Sequence, residues 1–443
     1  MNTDQPAPKE NDRVTTREQA IEAAHQWING ARPEEQWHRI GVHEFDLGWV
    51  LWPIPDAEPD RPVGERRAPA EIGTACAVVD RETGELTHWP SVPVDEVVQL
   101  YRDKLGAGSH DPSRPPVVGP GASVVLTYRD AAGEQQSLFQ LSAPGAGHPE
   151  VRAWRTLQQQ GVRPEDVLSV YTDLRPCELP GGYCASVLLA ELPTATFDYG
   201  HAYGPRYDRR AAAVRALTDA TEDTFRRAGR PVPPRPNRIP FPRAVPVAAP
   251  ESDHDLGARL DAQFGTDRIH RHQGPVPAAL PAATAATLAE AGLPADVPSF
   301  FHHLPGLPTV VDHLTATGRG ARVPDRTRAL LADYRLLGDD GHALIAVQCG
   351  DGGTGTGAGI GRIWAVDPDT GTGRYLNTDL PAYLRSLALL ATRHPALHGL
   401  DPRTAGLAVD AFQHDLAALD PTVFSDPENW WAVIVEQLWD GLL

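Results

Sequence analysis

The alternation of apolar and polar positions divides the chain into three folded stretches. In the first, residues 14–107, Thr15-Thr16-Arg17-Glu18 reads as a capping box. Ala20, Ile21, Ala24, Trp27 and Ile28 then recur at helical spacing as far as Asn29-Gly30. Strand-like runs follow over 43–53 and 74–80, the second turning through Arg81-Glu82-Thr83-Gly84 into 85–89, a hairpin signal. A helix over 93–105 places Val94, Val97, Val98 and Tyr101 on one face. The pattern predicts a small α+β domain without a cluster of catalytic residue types.

The second stretch, 118–230, begins after a Gly-, Pro- and Ser-rich linker over 106–120. Strands are expected over 122–128, 136–142, 167–172 and 194–199, and helices from His148, near Cys177 and over 209–228. The order β-β-α-β-α-β-α favours an α/β three-layer unit. Eight prolines between Pro231 and Pro250 allow no helix or interior strand, so 231–251 reads as a stiff, extended connector. The third stretch, 252–443, opens with a helix and carries strands over 343–349 and 362–367. Its last helix is expected to start with Asp426 as N-cap and Pro427 in the first turn, turning Trp430, Val433, Ile434 and Leu438 inward. Residues 1–13 are polar, charged and proline-containing, and read as a disordered tail.

Composition narrows the function classes. The net charge of −18 argues against a general nucleic-acid binder. The charge is uneven: 116–250 holds 15 basic and 13 acidic side chains, whereas 1–115 holds 12 and 21, and 251–443 holds 13 and 24. A mildly basic centre between acidic flanks tolerates an anionic substrate. No run of about 18 apolar residues predicts a membrane span, and the first residues carry no apolar signal core, so a cytoplasmic protein is expected. Four cysteines make no disulfide framework; Cys76 and Cys349 lie in apolar runs and read as buried thiols.

The candidate chemistry lies between Gly147 and Ala185. His148-Pro149-Glu150 supplies a neutral imidazole and a carboxylate, and Pro176-Cys177 with Cys184 supplies two thiolates. One imidazole and two thiolates can hold a zinc ion and leave a fourth position for water, with a non-ligand glutamate to shuttle protons. Proline suits a first helical turn, so His148 is expected at the N-cap, with Glu150 facing the same space. Val151, Trp154 and Leu157 then turn the other face to the core, and Gly161 ends the helix. Cys177 is placed at a helix start, where first-turn N–H groups favour a thiolate. Cys184 opens the helix carrying Val187, Leu188, Leu189 and Leu192. Six residues separate the cysteines where zinc deaminases have two. Pro180, Gly181 and Gly182 make a loop able to fold back, bringing both sulfurs to about 2.3 Å from one metal. The alternative is a buried histidine with two structural thiols, which leaves the glutamate and proline placements as coincidence. Tyr199, His201 and Tyr203 are candidates to stack on a base, or are ordinary packing residues.

Other motifs are set aside. The glycine-rich 350–361 segment is followed by a strand rather than a helix, so it lacks the N–H array of a phosphate loop and reads as a hairpin turn. His270, His272, His302 and His303 have no third ligand nearby and read as surface or core histidines.

Three resemblances follow from these residues. The opening helix, Leu-Gly-Trp-Val-Leu-Trp (47–52) and Val-Val-Asp-Arg-Glu-Thr-Gly (78–84) resemble the YrhB-like bacterial immunity family. The His-Pro-Glu and Pro-Cys-x-Leu-Pro-Gly segments resemble polymorphic-toxin nucleic acid/nucleotide deaminases, which implies a cytidine deaminase-like fold with Zn²⁺ on His148, Cys177 and Cys184 and Glu150 as catalytic acid/base. Phe-Gly (264–265), Gly-Leu-Pro (292–294), Ile-Trp-Ala-Val-Asp-Pro (363–368), Leu-Asn-Thr-Asp-Leu (376–380) and Glu-Asn-Trp-Trp (428–431) resemble the SUKH superfamily of immunity proteins, close to its fourth subfamily. Together these imply a zinc-dependent deaminase of cytosine or adenine, in a nucleotide or single-stranded nucleic acid, within a bacterial toxin–immunity system. The rival expectation is a non-catalytic immunity protein that neutralises toxin proteins. An exported toxin ranks behind both, because the deaminase-like part is central and no secretion signal precedes it.

Overall fold

The computed structural model describes residues 15–30, 33–54, 76–105, 110–351, 357 and 359–443. The expected disordered tail, Thr74 and Ala75 and parts of 106–120 and 350–361 lie outside them. The chain is mixed α+β and forms two compact units, 1–108 and 109–443. Among the described residues no helix is long and apolar enough to cross a membrane.

The first unit comprises α1 (Arg17–Asn29), β1 (Arg39–Phe45), β2 (Gly48–Ile54), β3 (Cys76–Asp80), β4 (Leu86–Trp89) and α2 (Val94–Lys104). The strands form one antiparallel sheet in the order β1-β2-β3-β4. Val94, Val97, Val98 and Tyr101 are the buried residues of α2, as the periodicity requires. Two expectations are corrected. The run over 43–53 is not one strand but parts of two, because Phe45 pairs with Gly48 across a two-residue turn that apolar Leu47 hides in the sequence. The capping box is also one residue later. The Thr15 N–H donates to the Arg81 carbonyl, so Thr16 takes the N-cap and exchanges hydrogen bonds with Gln19.

The second unit begins with β5 (Ser123–Arg129), β6 (Gln135–Leu141), α3 (Pro149–Gln159), β7 (Val167–Leu174), α4 (Cys184–Glu191), β8 (Thr196–His201) and α5 (Tyr207–Arg227). This is the β-β-α-β-α-β-α order read from the sequence. The sheet runs β6-β5-β7-β8, with β7 and β8 parallel and joined through α4. Val124 and Leu126 on β5 and Val170 on β7 bury against Trp154 and Leu157 of α3 and Leu188 of α4.

The proline-rich 231–250 segment holds no helix or strand, and it is a packed strap rather than a free spacer. Asn237 is wholly buried, and its side-chain amide donates to the carbonyls of Asp111, Arg114 and Pro115. Phe241 stacks on Phe424 with ring centroids 4.5 Å apart.

After the strap come α6 (Asp253–Phe264), β9 (Ile269–His270), α7 (Ala282–Glu290), β10 (Leu293–Pro294), β11 (Asp296–Val297), β12 (Phe301–His303), α8 (Val310–Ala316), α9 (Asp325–Leu331), β13 (Tyr334–Asp339), β14 (Leu344–Gln348), β15 (Ile363–Val366), β16 (Gly373–Asn377), α10 (Leu380–Ala396), α11 (Pro402–Leu419) and α12 (Trp430–Trp439). Strands β11 to β16 form a six-stranded antiparallel sheet in sequence order, and the 350–361 segment joins antiparallel neighbours β14 and β15. The last helix starts later than expected. The Asp426 carboxylate and carbonyl accept the N–H groups of Glu428 and Asn429, which closes a turn and leaves Asn429 as the N-cap of α12.

All ten residues of α12 are buried, including Glu436 and Gln437. Its tryptophans pack into the core of the six-stranded-sheet region, while Val433 and Leu442 pack with Cys177 and Cys184. A helix buried on every side must find partners for its polar side chains. Glu436 does so across the unit: its carboxylate accepts from Arg210 Nε and Nη2 of α5 at 2.9 and 2.8 Å.

Candidate functional site

His148 is the N-cap of α3, with Pro149 in the first turn. Its side chain makes no capping bond, so the imidazole is free to turn toward the β7–α4 loop. Cys177 is not at a helix start, contrary to the sequence expectation. Pro176, Pro180 and left-handed Gly181 prevent a helix from starting at Cys177, and α4 begins only at Cys184. The loop folds back instead: the N–H groups of Gly182 and Tyr183 donate to the Leu179 carbonyl, and that of Ala185 to the Cys177 carbonyl. This brings the two cysteines together despite six intervening residues. A β-carbon on Gly182 would lie 2.9 Å from the His148 ring, so the loop passes the imidazole at a distance that favours glycine.

His148, Cys177 and Cys184 present one nitrogen and two sulfurs within 4.8 Å of one another. The His148 Nδ1–Cys177 Sγ distance is 3.7 Å. Zinc bonds of about 2.0–2.1 Å to nitrogen and 2.3 Å to sulfur put a tetrahedral N···S edge near roughly 3.6 Å. The donor set therefore fits zinc in chemistry and in span. Glu150 Oε2 lies 3.8 Å from Cys184 Sγ and 3.9 Å from His148 Nδ1, beside the donors. All four side chains are buried.

Electrostatics separates their roles. A hydrogen bond from the Cys184 thiol holds Cys177 well below the usual thiol range, against the cost of burial and with help from His148 and the Cys184 backbone N–H. Burial and the neighbouring Cys177 push Cys184 up. Burial alone would lower His148, but the Cys177 thiolate and the Glu150 carboxylate hold it up at about 9. Burial raises Glu150 above the ordinary carboxylate range.

A cavity of about 520 Å³ reaches this cluster at His148 and along Gly181, Gly182 and Tyr183. Its other wall comes from the C-terminal region, including Phe300, Asp340, His394 and Leu443. Tyr183, in a left-handed conformation (φ 45°), reaches that wall through its side chain. Its hydroxyl donates to Asp340 at 2.9 Å, and its ring lies 4.8 Å from that of His342. Sequence reasoning missed this wall. The one available signal was a Glu-Gln pair inside the otherwise apolar α12. Of the candidate stacking residues, Tyr199 is exposed on β8 and His201 is half-buried at its end. Tyr203 is buried in the core cluster with Cys177 and Cys184, and none of the three lines the cavity. Cys76 is buried as expected, whereas Cys349 is only partly so.

A buried imidazole–dithiol cluster with an adjacent carboxyl, built on a βαβ sheet, is the arrangement of zinc deaminases. Residues 119–220 match the family model described as Xanthomonas-like deaminase. Residues 18–109 match the Immunity protein 35-like domain, and residues 256–437 match the SUKH-4 immunity protein. No match was found among curated proteins or among solved structures. The chain thus carries a deaminase domain between two immunity domains.

Proposed function

We propose that the chain is a zinc-dependent hydrolytic deaminase of a nucleobase, acting in the cytoplasm as part of a bacterial toxin–immunity system. The observation that carries this reading is the convergence of His148, Cys177 and Cys184 with Glu150, of which His148 borders a cavity. His148, Cys177 and Cys184 would hold the zinc, which would supply Lewis acidity to a water molecule near neutral pH. Glu150 takes the proton from the attacking water. It passes it to the ring nitrogen and then assists the departure of ammonia from C4 of cytosine or C6 of adenine. Water and the amino-base become the keto-base and ammonia, with no redox partner. Arg152, Arg155 and Arg268 also line the cavity, which suits a phosphate-bearing substrate, a nucleotide or a single strand.

The test combines metal analysis with ammonia release over a panel of nucleosides, nucleotides and single strands. Replacing Glu150 by Ala is expected to keep the zinc and abolish deamination. A zinc-loaded wild type that releases no ammonia from any of these sinks the enzyme reading. The second reading, a non-catalytic immunity protein that binds a cognate toxin, would then stand. Two immunity domains favour it, as does the near-complete burial of Glu150 and both cysteines.

A further inference from the structure

The wall contributed by the C-terminal immunity domain does more than border the cavity. Gln437, in the last turn of α12, is wholly buried. Its Nε2 donates to the Pro180 carbonyl at 2.9 Å and to the Val433 carbonyl at 3.2 Å. Those two bonds fix the amide, so the opposite atom, Oε1, has a set direction. Oε1 is buried and has no hydrogen-bond partner among the described residues. On the deaminase side, His148 directs Nδ1 toward Cys177 and Glu150, while its Nε2 is likewise buried and without a partner. Pro180, which holds the Gln437 amide, belongs to the loop whose Gly182 lies against the His148 ring.

A histidine that binds a metal through one nitrogen needs an acceptor for the N–H on the other, and the acceptor sets tautomer and ring orientation. With the metal on Nδ1, the proton is on Nε2. Among the described residues, Gln437 Oε1 is a buried acceptor left free beside the same loop. We infer that Gln437 is the positioning residue for the His148 metal ligand, so the C-terminal immunity domain completes the zinc centre of the deaminase domain. This rests on the metal reading above and extends it: zinc affinity becomes a property of 109–443 as a unit, not of the deaminase domain alone.

Two variants of the full chain separate the imidazole contact from the loop anchor. Gln437→Met keeps the side-chain length but removes both donor and acceptor. Gln437→Glu keeps an acceptor for His148 and removes the donor to Pro180. Zinc affinity is measured by competition with a chromogenic chelator, with near-ultraviolet circular dichroism to confirm the fold. Loss of an outer partner of a metal-binding histidine weakens affinity about 10–100-fold, and Gln437→Met is expected in that range. Gln437→Glu should stay close to wild type, and nitrogen-15 NMR of its zinc form should show the His148 proton on Nε2. Equal weakening in both variants would assign Gln437 to the loop anchor and overturn the inference, as would wild-type affinity in Gln437→Met. A wild type that binds no zinc removes the metal reading itself, a separate outcome.

Discussion

The two immunity domains differ in how they satisfy their buried charges. In the N-terminal domain, Asp80 is buried and accepts from the N–H groups of Glu82 and Thr83, from the Thr83 hydroxyl and from the Tyr101 hydroxyl, all within the domain. In the C-terminal domain, buried Glu436 has its bidentate partner on α5 of the deaminase domain, where Arg210 is itself fully buried. Half-buried Glu428 extends the network to Arg210 and Arg374. A domain that satisfies its own buried charges can be a separate compact unit, as 1–108 is. One whose buried carboxylate needs a guanidinium from its neighbour is tied to that neighbour, since separating them would leave each charge unpaired in the interior or force it into water.

That contrast can be broken most directly at Arg210. Replacing it with Met leaves Glu436 buried and unpaired, and such a loss costs about 3–5 kcal/mol. Urea unfolding followed by hydrogen-exchange mass spectrometry should show the loss throughout 109–443 and unchanged protection in 15–105. The double variant Arg210→Met, Glu436→Leu should recover most of it, because the unpaired charge is gone. A single variant with wild-type stability would show that the pair does not tie the domains. A smaller effect is expected from Tyr101→Phe, which takes one donor from buried Asp80. It should cost about 1.5–3 kcal/mol, the worth of a hydrogen bond to a charged group, and by the same measurement lower protection only in 15–105.

The smallest effect is a pH dependence. Burial pushes Glu428 up, but Arg210 and Arg374 outweigh it and hold the carboxyl below its ordinary value of 4.5. A carboxyl with a depressed folded-state value contributes stability above about 4.5, and loses it as the pH falls through the folded value. Unit 109–443 should therefore lose part of its stability on acidification from pH 7 to pH 3, and Glu428→Gln should flatten that part of the curve. An unchanged curve in the variant would place the acid sensitivity elsewhere.

Much of the candidate site was legible in the sequence because its determinants are local. Proline at 149 sets the start of α3 and puts His148 at its cap, whatever the rest of the chain does. Pro180, Gly181 and Gly182 announce a loop that can double back, and the β-β-α-β-α-β-α order follows from short-range periodicity. The illegible parts depend on what arrives from far along the chain. The capping box shifted by one residue because the Arg81 carbonyl, 66 positions away, took the Thr15 N–H. The proline-rich segment looked like a spacer, yet Asn237 and Phe241 bury into the fold.

The sequence by itself determined the three domains, their order and the residue types of a candidate metal cluster, since periodicity, turn residues and ligand chemistry are short-range properties. Only the tertiary structure decided that α12 is shared between two domains, that the cavity has one wall from each, and that Gln437 lies against the loop holding Cys177 and Cys184. The physical reason is that the burial of Glu436 and Gln437 is settled by partners more than 200 residues away, and no local pattern encodes where those partners lie.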